Sequence, residues 1–256
     1  MSSHSKVWKR ASAWGIALLG CTFLVGCSPS IQQPLAGMTP VSFQKIAPNG
    51  WSAILASVQK GTQLKKYQIK SKVEVVDNSL HPYYATYGSI QKPDKVSMSV
   101  HEGDFNIDFF QQGKSAFSFI NGHWSVATPL SNPDVFPTYL QILEGAAKTG
   151  APVYLEPTQY IVDEYCTVYA VKVPAAAVEQ LAEWDGGEVF SSSSPVLMTL
   201  MIGKRNDELR EVQTTSVGSL PNIGPIELTS TTVLFNMNKK YADVTVPASL
   251  VKQMKD

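Results

Sequence analysis

The sequence predicts a mainly β domain in which antiparallel strands form the sheet and a few helices cover one of its faces. Three observations predict this. Segments rich in Val, Ile, Thr, Tyr and Phe recur from residue 67 onward, punctuated by Gly, Pro and Asn. Several alternate apolar and polar residues with the period of two that a half-buried strand requires. Helical spacing of apolar residues occurs in only three short stretches. With 44% hydrophobic and 10% aromatic residues the chain can fill a sizeable core, and its length suits one large domain over residues 49–256.

In chain order, Tyr67 to Val76 sets Ile69, Val73 and Val75 on one face against Lys70, Lys72 and Glu74 on the other. Turn residues from Asn78 to Pro82 lead into a strand from Tyr83 to Ile90. Lys95 to His101 groups Val96, Met98 and Val100. Asp104 to Gln111 groups Phe105, Ile107 and Phe109. After Gln112-Gly113-Lys114, Phe117 and Phe119 share a face. Asn121-Gly122 is a two-residue hairpin signal before His123 to Val126. Strands of a meander pair with their neighbours, so these eight residues (Val96, Met98, Val100, Phe105, Ile107, Phe109, Phe117, Phe119) are expected to merge into one apolar surface. Water would not tolerate it bare. Helices, an apolar ligand or both are expected to cover it, which makes the eight candidate cavity residues.

The second half continues in the same style. Strands are expected at Tyr165 to Val173, Glu208 to Val217, Pro225 to Asn238 and Ala242 to Val246. Val196 to Ile202 is apolar on both faces and is expected to be covered on both. The three helical stretches are Trp51 to Gln59, Phe136 to Ala147 and Ala175 to Trp184. Asn49 is a candidate cap and Gly61 a candidate stop for the first, and Gly186-Gly187 a stop for the third. Their apolar stripes read as core. Ser191 to Ser194 read as a loop.

The N-terminus is of another kind. Lys6, Lys9 and Arg10 precede an uncharged stretch from Ala11 to Gly26, too short and too broken by Gly15 and Gly20 for a spanning helix of about 20 apolar residues. It ends in Leu24-Val25-Gly26-Cys27, which resembles the lipobox of bacterial lipoproteins. The implied reading is a cleaved signal over 1–26, a diacylglyceryl group on Cys27, and a flexible tether over 27–48. The protein would then sit outside the cytoplasm, lipid-anchored to the outer face of the cytoplasmic membrane or to an outer membrane.

Charge and motifs narrow the chemistry. The segment before Cys27 holds three bases and no acid, so the chain from Cys27 on has 18 bases against 21 acids. That balance speaks against nucleic acid as a partner. Cys21 leaves with the signal and Cys27 is acylated, so Cys166 stands alone in a strand and reads as a buried structural thiol. His81, His101 and His123 are far apart and show no metal-ligand spacing. His101-Glu102-Gly103-Asp104 reads as a solvated turn. Asp163 and Glu164 are adjacent on a strand and face opposite ways. No nucleophile elbow or phosphate-binding glycine loop occurs. Lys204-Arg205-Asn206-Asp207 reads as a charged turn whose two bases suit a phospholipid or partner, with Asp207-Glu208 opposing. The expectation is a non-enzymatic protein without a cofactor or metal.

Several phrases taken together resemble a known family: Gly88-Ser89-Ile90-Gln91-Lys92-Pro93-Asp94-Lys95-Val96-Ser97-Met98, the hairpin ending Gly122-His123-Trp124, Leu234-Phe235-Asn236-Met237-Asn238, and the closing Val244-Thr245-Val246-Pro247. The layout resembles the lipoprotein-carrier superfamily that includes LolA, LolB and the mycobacterial LppX and LprG group. The resemblance implies an unclosed, strongly curved antiparallel β half-barrel, with about three helices on its concave face and an apolar cavity between them. Two functions follow from it. One is a membrane-anchored carrier or receptor for a lipid or other apolar ligand. The other is an envelope- or germination-linked regulatory lipoprotein of the same fold, with a filled cavity and a protein partner.

Overall fold

A computed structural model describes residues 45–76, 83–102, 105–178, 195–220 and 224–253. Eleven strands form one antiparallel sheet. The first six are β1 (Lys66–Val76), β2 (Tyr83–Gln91), β3 (Lys95–Glu102), β4 (Phe105–Gln112), β5 (Ser115–Ile120) and β6 (His123–Ala127). The other five are β7 (Tyr154–Ile161), β8 (Glu164–Val173), β9 (Val196–Gly203), β10 (Leu209–Leu220) and β11 (Gly224–Phe235). Among the described residues four helices accompany them: α1 (Gly50–Thr62), α2 (Val135–Lys148), α3 (Ala175–Val178) and α4 (Ala248–Gln253). The sheet is a half-barrel of the expected kind, mainly β and not closed.

Its order, β6-β5-β4-β3-β2-β1-β11-β10-β9-β8-β7, is two meanders joined where β1 pairs with β11. The two edges, β6 and β7, are consecutive in sequence. The chain between them therefore has to travel from one edge of the sheet to the other, and it does so over the inner face. Leu130 is held to β4 by Gln111, whose amide donates to its carbonyl and accepts from its N–H. Asp134 reaches the β2–β3 turn, and α2 then continues to β8.

α1 and α2 lie antiparallel and are fastened at both ends. At one end the Trp51 indole donates to the Ala151 carbonyl at 2.7 Å, and Gly50 lies against Val153. At the other, Gly61 packs under the Phe136 ring so closely that a Cβ would stand 1.9 Å from it. Gly61 was expected to stop α1; the helix runs through it to Thr62, and the glycine is there for the close approach. Asn49 makes no side-chain cap, whereas Asp134 caps α2 by accepting from the Phe136 N–H.

Other expectations hold with shifted bounds. Asn121 and Gly122 both have positive φ, 52° and 87°, as a tight hairpin requires. β11 ends at Phe235 because Asn236 and Asn238 adopt positive φ of 50° and 56°, a conformation asparagine tolerates better than most residues. Ala242 to Val246 is not a strand. A 3-10 turn at Lys240–Ala242 precedes an extended run to Pro247, and then α4. β7 had no clear strand signal, because Pro157 and the bulge between Glu156 and Gln159 interrupt it. Both are typical of an edge strand. The third helix is described only from Ala175 to Val178; its expected continuation to Trp184, and the loop at 191–194, lie outside the described residues.

Candidate inner-face site and its margins

Register decides which side chains meet. Met98 pairs with Phe109 and Val100 with Ile107, so Val96, Met98, Val100, Ile107 and Phe109 share the inner face of β3 and β4. Val96, Met98 and Phe109 are buried in the main core together with α1 and α2. Val100 is only half-buried, and Ile120, next in the same row on β5, is 37% exposed. Phe105 stands opposite Glu102 at the end of β4.

Phe117 and Phe119 do not join them. They pair with Phe110 and Asp108, on the outer face. There they pack with Phe110, Trp124, Val244 and Leu250. The expected single surface of eight residues is therefore split across two faces. The reason is the β4–β5 register, which sets Phe109 opposite Ser118. Turn residues 112–114 fix that register, and a shift of one residue exchanges the faces. The outer cluster is closed by α4: the Trp124 indole donates to Ser249, and the Gln253 amide bonds both backbone groups of Trp124.

A row of hydroxyls crosses the inner face beside the apolar wing. Thr86, Ser71 and Thr232 are in register across β2, β1 and β11, Ser230 and Thr214 are in register in the next row of the same face on β11 and β10, and all five are buried. Ser71 and Thr232 bond each other at 3.1 Å. Thr214 has no hydrogen-bond partner, nor does Ser57 on α1. Strand alternation contained the hydroxyl row, but nothing in the sequence showed that the four strands align them.

At the end of the sheet where β1 begins, polar groups lock the helices in place. The Lys92 ammonium contacts Asp134 at 2.5 Å and donates to the Thr62 and Gly61 carbonyls, so it joins the C-terminus of α1 to the N-terminus of α2. The buried Tyr67 hydroxyl donates to Asp134 and accepts from the Val135 N–H, and its ring meets Phe136 edge-on. Burial, and then the Asp134 charge, push the Tyr67 pKa well above the ordinary tyrosine value, so it remains a donor. The space between Phe136, Leu64, Ser57 and Leu209 has about 0 Å³ left for a water-sized molecule. Lys92-Pro93-Asp94-Lys95 is thus a structural clamp.

A second lock lies on β8. The buried Glu164 carboxylate bonds Arg210 at 2.5 Å and the Arg205 N–H at 3.1 Å, and Arg210 also pairs with Glu208. Gly203 makes room for it, since a Cβ there would stand 2.5 Å from that carboxylate. Cys166 is buried beside it with Val168 and Met201. Burial and then Glu164 raise its pKa, which keeps it an unreactive thiol. Among the described residues no cluster of His, Cys, Asp and Glu could hold a metal, and no helix is long and apolar enough to cross a membrane. Cys27 lies outside the described residues.

No family model matches the sequence. No curated protein matches it either. Solved structures do match the fold. The lipoprotein LppX of Mycobacterium tuberculosis superposes with a TM-score of 0.54 at 15% identity, covering 78% of this chain and 99% of its own. LprF of Mycobacterium bovis gives 0.50 at 12% identity, covering 80% and 99%. The chain has an LppX-like fold.

Proposed function

We propose that the protein is an extracytoplasmic lipoprotein, anchored through Cys27, that binds a lipid or other apolar ligand against the inner face of its sheet. The observation that carries this reading is the wing of β3–β5. Its inner row Val100, Ile107 and Ile120 is apolar, and its outer margin is left partly exposed, while the space between Phe136, Leu64, Ser57 and Leu209 at the end of α1 is filled. The acyl chain therefore belongs on this wing. Thr86, which pairs with Val100, brings the buried hydroxyls up to this wing, and they suit an uncharged polar group of the same ligand. An acyl chain gains about 0.8 kcal/mol per buried methylene, enough to outweigh ordering costs over a long chain. The Leu24 to Cys27 motif and the LppX-like fold support the anchor and an extracytoplasmic location. No step of this reading needs an enzyme.

The test is native mass spectrometry of the protein isolated from cells, then displacement of a fluorescent acyl probe. Co-purifying lipid and saturable binding are expected. Val100→Arg should abolish both while leaving the melting temperature nearly unchanged. No lipid and no saturable binding would replace this reading with that of a partner-binding regulator whose cavity is filled.

A further inference from the structure

The loops at the end of the sheet where β1 begins carry a charge that the rest of the chain does not. Lys65, Lys204, Arg205, Lys239 and Lys240 are exposed there and form no ion pair. Register puts them together, since Lys66 lies opposite Gln91, Gly203 opposite Cys166, and β11 ends at Phe235. The acids not used in locks at this end are Asp94, Asp163 and Asp207. The end is therefore positive although the chain from Cys27 on has 18 bases against 21 acids. A depression of about 480 Å³ opens among Lys65, Lys66, Lys92, Gln91 and Pro93.

A further observation points to a lipid surface. Tyr160, Tyr165 and Tyr241 are 61%, 62% and 78% exposed at this same end. An exposed tyrosine ring with a wet hydroxyl suits the boundary between headgroups and acyl chains. Ile46 bridges Tyr154 in antiparallel sense and the Leu155 N–H donates to the Lys45 carbonyl, so Lys45 lies beside the start of β7, at the end of that strand opposite Ile161. The 18 residues from Cys27 to Lys45 can span at most about 60 Å, longer than the eight-residue β7, so an anchor at Cys27 leaves this end free to face the bilayer.

We propose that this basic, tyrosine-bearing end is a membrane-docking surface that binds the anionic headgroups of phospholipids and turns the domain so that this end faces the bilayer. The orientation rests on the proposed anchor at Cys27; the affinity for anionic lipid does not. Lys65, Lys239 and Lys240 supply the charge around the depression, and Tyr241 enters the headgroup layer beside them. The surface potential of an anionic leaflet acts on each base independently, so attraction adds up over the cluster and is screened by salt.

The test uses the chain from residue 27 with Cys27→Ser, which keeps the whole described domain and cannot be acylated. It is mixed with phosphatidylcholine vesicles with and without phosphatidylglycerol, and the bound fraction is read by flotation. Binding is expected only with phosphatidylglycerol and is expected to fall at high salt. Each neutralised base should weaken it roughly fivefold, so Lys65→Gln, Lys239→Gln and Lys240→Gln together should weaken it about a hundredfold. Lys148→Gln, an exposed base at the C-terminus of α2, should leave it unchanged. Equal binding to both vesicle types, no binding to either, or an unaffected triple variant would overturn the proposal. Whether the cellular protein carries an acyl mass on Cys27 is a separate measurement, so failure of the anchor is distinguishable from failure of the surface.

Discussion

The two wings of the sheet solve the same problem on opposite faces. Beside β8–β10, α1 and α2 cover the inner face, and Val171, Met198 and Leu200 are fully buried. Beside β4–β6, the tight cluster is on the outer face, where α4 closes over Phe110 and Trp124, and the inner row is left partly open at Val100 and Ile120. Both wings are built from similar apolar strands. Which face becomes core is set by whichever segment is tied to it: a clamp of Lys92, Asp134 and Tyr67 on one side, and a C-terminal strap bonded to Trp124 on the other. Among the described residues no strap crosses the inner row at Val100 and Ile120, the face on which a ligand is proposed.

Breaking the clamp should have the largest effect. Asp134→Ala removes the cap of α2 and leaves the Lys92 ammonium half-buried without its counter-charge. A loss of about 4 kcal/mol is expected, roughly 1 from the cap and 3 from the stranded charge, measured by urea unfolding. A loss under about 1 kcal/mol would show that packing alone holds the helices.

Trp124→Ala attacks the other wing and should cost about 3 kcal/mol. Here the informative measurement is hydrogen exchange. Amides of 248–253 should lose protection while those of α1 and β9 keep theirs, and uniform loss would mean that the wings are not separate units.

Gly61→Ala drives a methyl into the Phe136 ring and should cost about 2 kcal/mol. Phe136→Leu in the same chain should recover part of it. If the double variant is no better than the sum of the singles, the close approach is not what makes glycine necessary.

The smallest effect has the opposite sign. Glu211 is buried on β10, and burial raises its pKa above the ordinary value, with the Gln213 amide opposing. The folded state thus binds more protons than the unfolded chain between the ordinary and the raised pKa, and stability falls as pH rises through that window. Glu211→Gln should raise the melting temperature by about 1–2 °C at neutral pH. The gain should vanish below the ordinary glutamate range, and a gain that persists in acid would point to packing.

Local signals were legible where they were also sufficient. The Asn121-Gly122 turn, the buried Val196–Gly203 strand and the core positions Val96, Met98 and Phe109 all follow from period and turn chemistry. Phe117 and Phe119 did not, because alternation shows that two residues share a face without showing which face the neighbouring strand aligns with it. β7 was hidden for a different reason: an edge strand can hold a proline and a bulge, and these erase the pattern by which strands are recognised.

By itself the sequence determined the class of the domain, most of its strands, the signal ending at Cys27 as an expectation, and a motif set resembling one family. These depend on residues near one another in the chain, so pattern and propensity suffice. Only the tertiary structure decided that β1 meets β11, that Lys92 ties two helix ends together, that the phenylalanines divide between two faces, and that lysines from three distant loops share one end with three exposed tyrosines. Each of these joins residues far apart in sequence. Strand pairing and register bring them together, and no local period records that choice.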